Sequence, residues 1–330
     1  MKERIINFLK SSNNYISGQD LSDNLKISRA AIWKHINELR EAGYEIEAVP
    51  HLGYKLTYIP DRLFPHEISY NLKTKIIGKK IYHLETTSST MDVAQKLAID
   101  NSPSGTIVVA ETQTRGRGRL MRSWSSPKYK GIYVSMILRP KISPQCAPQL
   151  TLLTAFSIYQ AIKNITGLEA KIKWPNDLML EHSAKGETSP LRGGKKICGI
   201  LTQMQAEQDE FYFVIIGIGL NVNSKKDELP DNAASLKEFF KEEISRIELL
   251  KEMLRCFEAN YLKFCKNGFL DILEKVKAIS YTLGRNIKLK LHNKIVEGEA
   301  VDIDKDTALI IHKLHGGIEK IFTGDILTIC

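Results

Sequence analysis

The spacing of apolar residues changes along the chain, and each change marks a different kind of segment. The pattern begins helical and short. Ile5, Phe8 and Leu9 stripe a first helix, and Leu21 and Leu25 stripe a second. Ser17-Gly18-Gln19-Asp20 opens that second helix with capping-box spacing, Asp standing where Glu is usual. Ser28 caps a third helix with Ile32, Ile36 and Leu39 on its inner face, and Gly43 supplies its stop. YEIEAVPHLGYKL then alternates as a hairpin turning near His51-Leu52-Gly53.

Beyond two bracketing prolines, Pro60 and Pro65, strands and helices alternate. Residues 106–111, 131–138, 170–174, 196–205 and 211–220 read as strands. A helix over 150–166 carries Leu152, Phe156, Tyr159, Ile162 and Ile165 and closes at Gly167. A second, over 249–266, carries Leu250, Leu254, Phe257, Tyr261 and Phe264. From about residue 280 only short alternating strands remain: 286–291, 295–303, 308–314 and 319–329. Turns at His292-Asn293, Asp304-Lys305-Asp306 and Gly316-Gly317 separate them, as in a small β-barrel. The expected fold class is α+β and multidomain. A winged helix-turn-helix occupies 1–62, a mixed α/β domain 66–278 and an all-β domain 279–330.

At 330 residues and 43% hydrophobic the chain can fill several cores. No apolar run approaches the roughly 20 residues that span a bilayer. MKERIINFLKSSNN lacks a secretory cleavage pattern, so no membrane partner is expected and the place of action is read as cytoplasmic. Five cysteines without a C-x-x-C pair fit a reducing compartment rather than a disulfide framework or a zinc site. The net charge of +9 suggests nucleic acid until it is located. Residues 1–60 hold eight Lys/Arg against seven Asp/Glu, and 277–330 hold the same, so the excess lies in the middle. Anionic small molecules explain it equally well. DNA binding is read instead from the third helix, where Ser28, Arg29, Trp33, Lys34, Asn37 and Arg40 are offered away from the apolar stripe. The plainer alternative is solvated charge on a protein-docking module.

The densest chemical signal is Glu111-Thr112-Gln113-Thr114-Arg115-Gly116-Arg117-Gly118-Arg119-Leu120-Met121-Arg122-Ser123-Trp124, directly after a strand. Its glycines free the backbone to curl around an anion, and its guanidinium groups suit carboxylate and phosphate. Such a loop fits either a reaction joining those two anions or a basic surface loop touching nucleic acid. Lys173-Trp174-Pro175-Asn176-Asp177 ends a strand; Asp177 there is a Mg²⁺ or ribose contact, or a local turn device. Lys196 opens a strand and either neutralises developing charge in a cavity or lies on the surface. Gly217-x-Gly219-x-Asn221 ends a strand, touching a nucleotide or making a turn. Ser88-Ser89-Thr90-Met91 precedes a helix whose start it caps, and can hold a polar ligand there. No P-loop, complete dinucleotide fingerprint or His/Cys metal cage occurs.

In this order the five signals resemble the biotin protein ligases, and with the N-terminal module the bacterial bifunctional type, ligase and biotin-operon repressor. The resemblance implies a catalytic domain of the biotin/lipoate ligase type and an SH3-like C-terminal barrel. It implies biotin contacts at Ser89, Thr90, Met91, Gln113, Arg117, Gly118, Arg119 and Lys196. Nucleotide contacts fall on Gly116, Arg122, Trp124, Lys173, Asn176 and Asn221, and chemistry on Arg117, Arg119, Lys196 and Asp177, the last with Mg²⁺. Biotin and ATP are the implied substrates. The implied partners are the biotin carrier domain of a carboxylase, operator DNA and a second copy in a ligand-promoted homodimer. A lipoate-type ligase, a biotin-sensing repressor without ligase activity, and a ligase without DNA binding share parts of the pattern. Two departures stand out: Leu120-Met121 where many relatives have Arg-Gly, and a polar insert over 181–194, read as disorder rather than the alternative, a mobile lid.

Overall fold

A computed structural model gives the chain's architecture; it describes residues 1–181, 193–207, 210–291, 294–314 and 316–329. Most of the 181–194 insert therefore lies outside the described residues. The chain divides into two compact units, Met1–Arg62 and Leu63–Cys330.

The first unit holds α1 (Lys2–Lys10), α2 (Gly18–Leu25), α3 (Arg29–Glu41), β1 (Glu45–Val49) and β2 (Gly53–Tyr58). Its starts and stops are set by local chemistry. Ser17 Oγ accepts from Asp20 N at 3.0 Å and Ser28 Oγ from Ala31 N at 3.2 Å. Gly43, at φ +99, lets the backbone turn after α3. Ile5, Ile6, Leu9, Leu21, Ile32, Ile36 and Leu39 form the buried interior; Phe8 is only half-buried, Ile6 taking the place expected for it. At the hairpin's end, a Cβ on Gly53 would lie 2.1 Å from Ile16 O, because residue 16 bridges to Tyr54 as a third short strand. This is a winged helix-turn-helix.

The second unit opens with α4 (Pro65–Ser69), β3 (Ile81–Leu84), α5 (Thr90–Ile99), β4 (Ile107–Ala110) and β5 (Gly131–Leu138). It continues with α6 (Ala147–Thr166), β6 (Lys171–Lys173), β7 (Asp177–Leu180), β8 (Lys195–Glu207) and β9 (Glu210–Asn221). Then come α7 (Leu236–Phe240), α8 (Arg246–Asn267) and α9 (Leu270–Ala278). These strands form one seven-stranded sheet in the order β3-β4-β5-β9-β8-β7-β6. Only β3 and β4 run parallel. Apolar side chains line both faces, as continuous rather than alternating hydrophobic runs require. Val108, Ile137 and Ile215 pack with Met91, Ala94 and Ala98 of α5. Ile107, Val109, Val134 and Met136 face the larger core with α6 and α8. Ile165, expected on the inner stripe of α6, is instead 38% exposed, in the helix's last turn.

The chain ends with β10 (Arg285–Lys290), β11 (Ile295–Ile303), β12 (Leu309–Lys313), β13 (Ile318–Ile321) and β14 (Asp325–Ile329), a five-stranded antiparallel sheet in the order β13-β12-β11-β10-β14. Its apolar interior is continuous with the large core. Trp174 fixes the junction, its Nε1 donating to Thr307 O at 2.9 Å and its backbone N to Thr282 Oγ1 at 3.0 Å.

Candidate active site

A cavity of about 200 Å³ opens at the start of α5, under the loop that leaves β4. The loop's base is stitched down first. Thr114 N and Arg115 N donate to Thr87 O and Ser88 O, both at 2.9 Å, and Thr112 Oγ1 donates to Ser126 O at 2.7 Å. Beyond that the chain folds back on itself: Trp124 N donates to Gly116 O (2.9 Å) and Gly118 N to Arg122 O (2.7 Å). Gly116 is not among the residues that line the cavity; a Cβ there would lie 2.5 Å from Trp124 O, so its role is to let the two limbs touch. Leu120 and Met121 form the tip at φ 53° and 59°, 69% and 95% exposed.

One end of the cavity is polar and already self-satisfied. Gln113 Oε1 accepts from Thr90 N (2.9 Å) and Thr90 Oγ1 (3.2 Å), and its Nε2 donates to Ser126 Oγ (3.0 Å). Thr90 also shares a hydroxyl contact with Ser135 at 2.8 Å, and buried Ser89 accepts from Met91 N. Met91 lies over Gly217, whose Cβ would meet its Sδ at 2.5 Å. Gly219 does the same for the ring of Trp124, at 2.4 Å, and Gly199 lies under the ring's edge. Both Gly217 and Gly219 are inside β9, paired with Leu201 and Gly199. They neither end the strand nor make a turn; they clear a trough in which Met91 and Trp124 lie against the sheet. Where the Trp124 ring lies, away from Gln113, the buried polar atoms Asn221 Oδ1 and Trp124 Nε1 have no hydrogen-bond partner among the described residues. Such atoms are costly unless something fills the space beside them.

Between these features the site is cationic, and its cations are partnered. Lys196 Nζ lies 2.7 Å from Asp177 Oδ1 and 5.3 Å from the Trp124 ring centre. Arg119 donates to Asn176 Oδ1 (3.0 Å) and Thr323 Oγ1 (3.1 Å). Arg117 pairs with Asp92, and Arg122 with Asp325. Burial pulls the Arg119 guanidinium and the Lys173 ammonium below their ordinary values, although Asp177 and Asp325 lift both. The hydrogen bond to Asp325 raises Arg122. Charges so disfavoured by burial gain most from a bound anion.

Of the residues singled out in the sequence, Ser89, Thr90, Met91, Gln113, Arg117, Gly118, Arg119, Arg122, Trp124, Asn176, Asp177, Lys196 and Asn221 all line this cavity. Lys173 stands behind it, donating to Ile326 O at 3.2 Å. Sequence reasoning missed three contributors: Asp92, the segment around Leu229–Ala233, and Thr323 with Asp325. A small β-domain read as separate carries no signal that its last turn reaches the arginine loop. No three His, Cys, Asp or Glu side chains among the described residues converge as a metal cluster. Burial raises the described thiols, Cys198 among them, in keeping with packing roles.

In the first unit, Arg29, Trp33 and Lys34 are exposed on α3, and Ser28 is its cap. Arg40 differs. Its guanidinium donates twice to Ile46 O, at 3.1 and 2.5 Å, and to Asn37 Oδ1, so it braces β1 against the helix.

Residues 83–221 match the biotin/lipoate A/B protein ligase family, 2–55 an HTH domain and 282–327 the biotin protein ligase C-terminal domain. The chain is 42% identical to the bifunctional ligase/repressor BirA of Bacillus subtilis over 98% of its own length and 97% of that protein's. The chain belongs to the biotin protein ligase family. The BirA of Escherichia coli is 27% identical over 96% of the chain and 93% of its own length. A solved ligase from Aquifex aeolicus, in complex with biotin and ATP, aligns at a TM-score of 0.62 and 30% identity, covering 75% of this chain and 97% of that one. The glycine trough and the arginine loop fall within the matched ligase segment, 83–221, and so does most of the cavity's lining, apart from Leu229–Ala233 and Asp325. No described helix is long and apolar enough to cross a membrane.

Proposed function

We propose that the chain is an ATP-dependent biotin protein ligase that also acts as a biotin-responsive repressor of biotin-synthesis genes. One observation carries the ligase reading: Arg119 and Lys196 meet near Asp177 in the cavity that also holds Gln113 and the unpartnered Asn221 Oδ1. A site of that kind can hold two anions and a base.

In the first half-reaction an oxygen of the biotin carboxylate bonds to the α-phosphorus of ATP, and the bond to pyrophosphate breaks. Ser89, Thr90, Met91, Gln113 and Gly118 hold the vitamin; Asn176, Asn221 and Trp124 hold the nucleotide, with Gly116 shaping the loop and Arg122 and Lys173 adding charge. Arg117, Arg119 and Lys196 stabilise the charge that builds on carboxylate and phosphoryl oxygens. To do so, Lys196 exchanges Asp177 for the ligand. Magnesium enters with the nucleotide as part of the substrate, and Asp177, released from Lys196, is the carboxylate we assign to it. In the second half-reaction the amine of a carrier-domain lysine bonds to the carboxyl carbon, AMP leaves, and the amine loses its proton. Closure of the 115–124 loop would shield the mixed anhydride from water.

For the first unit we propose operator binding through Arg29, Trp33, Lys34 and Asn37 of α3, as a homodimer favoured by the adenylate, in the cytoplasm. Its support is the winged-helix order together with the bifunctional relatives.

The test incubates the chain with biotin, MgATP and a carboxylase carrier domain, then probes with avidin. Labelling is expected, undiminished by excess lipoate, and Lys196→Ala should lower its rate by about 100-fold or more. Competition by lipoate, or equal labelling by the variant, would overturn the assignment. Mobility shifts on biotin-gene promoter DNA, with and without biotin plus ATP, test the repressor half; a shift indifferent to the ligands contradicts it.

A further inference from the structure

The most deeply buried charges in the molecule lie outside the cavity. Glu111 and Arg246 are both 0% exposed, with Arg246 Nη1 2.8 Å from Glu111 Oε2. Two fully buried charges of opposite sign are weak evidence for stability, since apolar side chains of equal volume fill such space as well or better. What an ion pair adds is fixed geometry. The same Arg246 Nη1 donates to Gly131 O at 3.1 Å, while Glu111 Oε1 accepts from Leu63 N at 2.8 Å and lies 3.4 Å from His83 Nε2.

The position of this knot in the sheet gives it a purpose. The β4–β5 ladder ends at the pair Ala110–Tyr133. Glu111 and Gly131 lie just past that last rung, on the side where the ligand loop departs and returns, and there only one backbone bond between the limbs, Tyr129 N to Glu111 O at 3.2 Å, continues the pairing among the described residues. Two residues after Glu111 comes Gln113, in the polar end of the cavity. Opposite Gly131, on β9, comes Asn221, at the end with the unpartnered atoms. Arg246, the first residue of α8, thus spans the roots of both halves. Its own position is locked by Asn223, which exchanges two hydrogen bonds with Ile244 (2.8 and 3.0 Å). Each half also has local support that does not pass through the pair: Thr90 and Ser126 for Gln113, and Ala234 O, 3.1 Å from Asn221 Nδ2.

We infer that Glu111 and Arg246 are positioning residues that set the separation between the vitamin-binding and nucleotide-binding halves of the site. The inference rests on the ligase reading above. Neither residue touches a reactant. Their effect falls on the distance between carboxylate oxygen and α-phosphorus, where a displacement of about 1 Å costs on the order of 100-fold in rate.

The test uses the full chain carrying Glu111→Gln and Arg246→Met together, which removes both charges and preserves approximate volume. Three quantities are compared with the parent on protein shown by circular dichroism to be folded. Biotin alone and a non-hydrolysable ATP analogue alone, measured by calorimetry, should each bind within about threefold of the parent, because each half keeps its local support. Biotin-dependent ATP–pyrophosphate exchange should fall by about 30-fold or more at saturating substrates. Transfer to the carrier domain from supplied biotinyl-5′-AMP should stay within about threefold, since the two halves are already covalently joined in that substrate. An equal fall in exchange and transfer would mean a general packing role, and no fall in exchange would mean no role; either overturns the inference. If the double variant does not fold, Glu111→Asp, one methylene shorter, faces the same three measurements and criteria. Absence of biotin-dependent exchange in the parent would overturn the ligase reading and this inference with it.

Discussion

At the scale of single residues, the site is built by subtraction. Gly219 and Gly217 contribute the absence of a side chain, into which Trp124 and Met91 settle. The two are not equivalent, since a Cβ on Gly217 meets the flexible end of a methionine and one on Gly219 meets a rigid ring. Gly219→Ala should therefore raise the ATP KM by about tenfold, the scale of a 1–3 kcal/mol overpacking penalty, while Gly217→Ala has the smaller effect on biotin KM. Steady-state kinetics of both variants checks the asymmetry; equal effects would refute it. The motif was visible in the sequence, but the reason for it was not, because spacing alone does not distinguish glycines at a turn from glycines under a ring. Glu111 makes a second prediction at this scale. Burial alone would push its carboxyl up, yet His83, Arg246 and the Leu63 N–H hold it below the ordinary value. A lowered carboxyl contributes stability above the ordinary value, lost as pH falls through the depressed one. Between about pH 5 and pH 3 the parent's denaturation midpoint should thus fall more steeply than that of the Glu111→Gln/Arg246→Met chain.

At the scale of elements, long amphipathic segments were legible and short ones were not. The stripes of α6 and α8 and the runs of β5 and β9 announce themselves, since each repeats its pattern over several turns or rungs. β3 and β7 have four residues each, and α4 and α7 five, too few for a period, whereas the three-residue β6 falls inside the expected strand 170–174. The caps were legible because they depend on neighbours in sequence: Ser17 and Ser28 do what their spacing implies. Arg40's contact with Ile46 O was not legible, because the packing of the hairpin on α3 supplies that partner. On the operator-binding reading, Lys34→Ala should reduce the salt dependence of binding by about one counterion, a phosphate contact's worth. Arg40→Ala should leave that slope unchanged and lower the melting temperature of the first unit. Fluorescence anisotropy across a salt series, with thermal melts, separates the two; a reduced slope for Arg40→Ala would contradict its bracing role.

At the scale of the whole molecule, the functional site is an assembly of distant segments. Asp92 from α5, Asp177 from β7 and Asp325 from β14 each hold one cation of the site, and Thr323 holds Arg119. Local pattern could identify the cations but not these partners, which the fold brings from up to 204 positions away in the chain. The arrangement describes a site whose charges are satisfied internally until substrates arrive, so that binding exchanges protein carboxylates for ligand anions. The most direct test is a crystal structure with a non-hydrolysable biotinyl-5′-AMP analogue. Lys196 Nζ and the Arg119 guanidinium should then lie within about 3.2 Å of the carboxyl or phosphoryl oxygens, ordinary hydrogen-bond reach. Lys196 still on Asp177, with both cations more than about 5 Å from the phosphoryl group, would contradict the account.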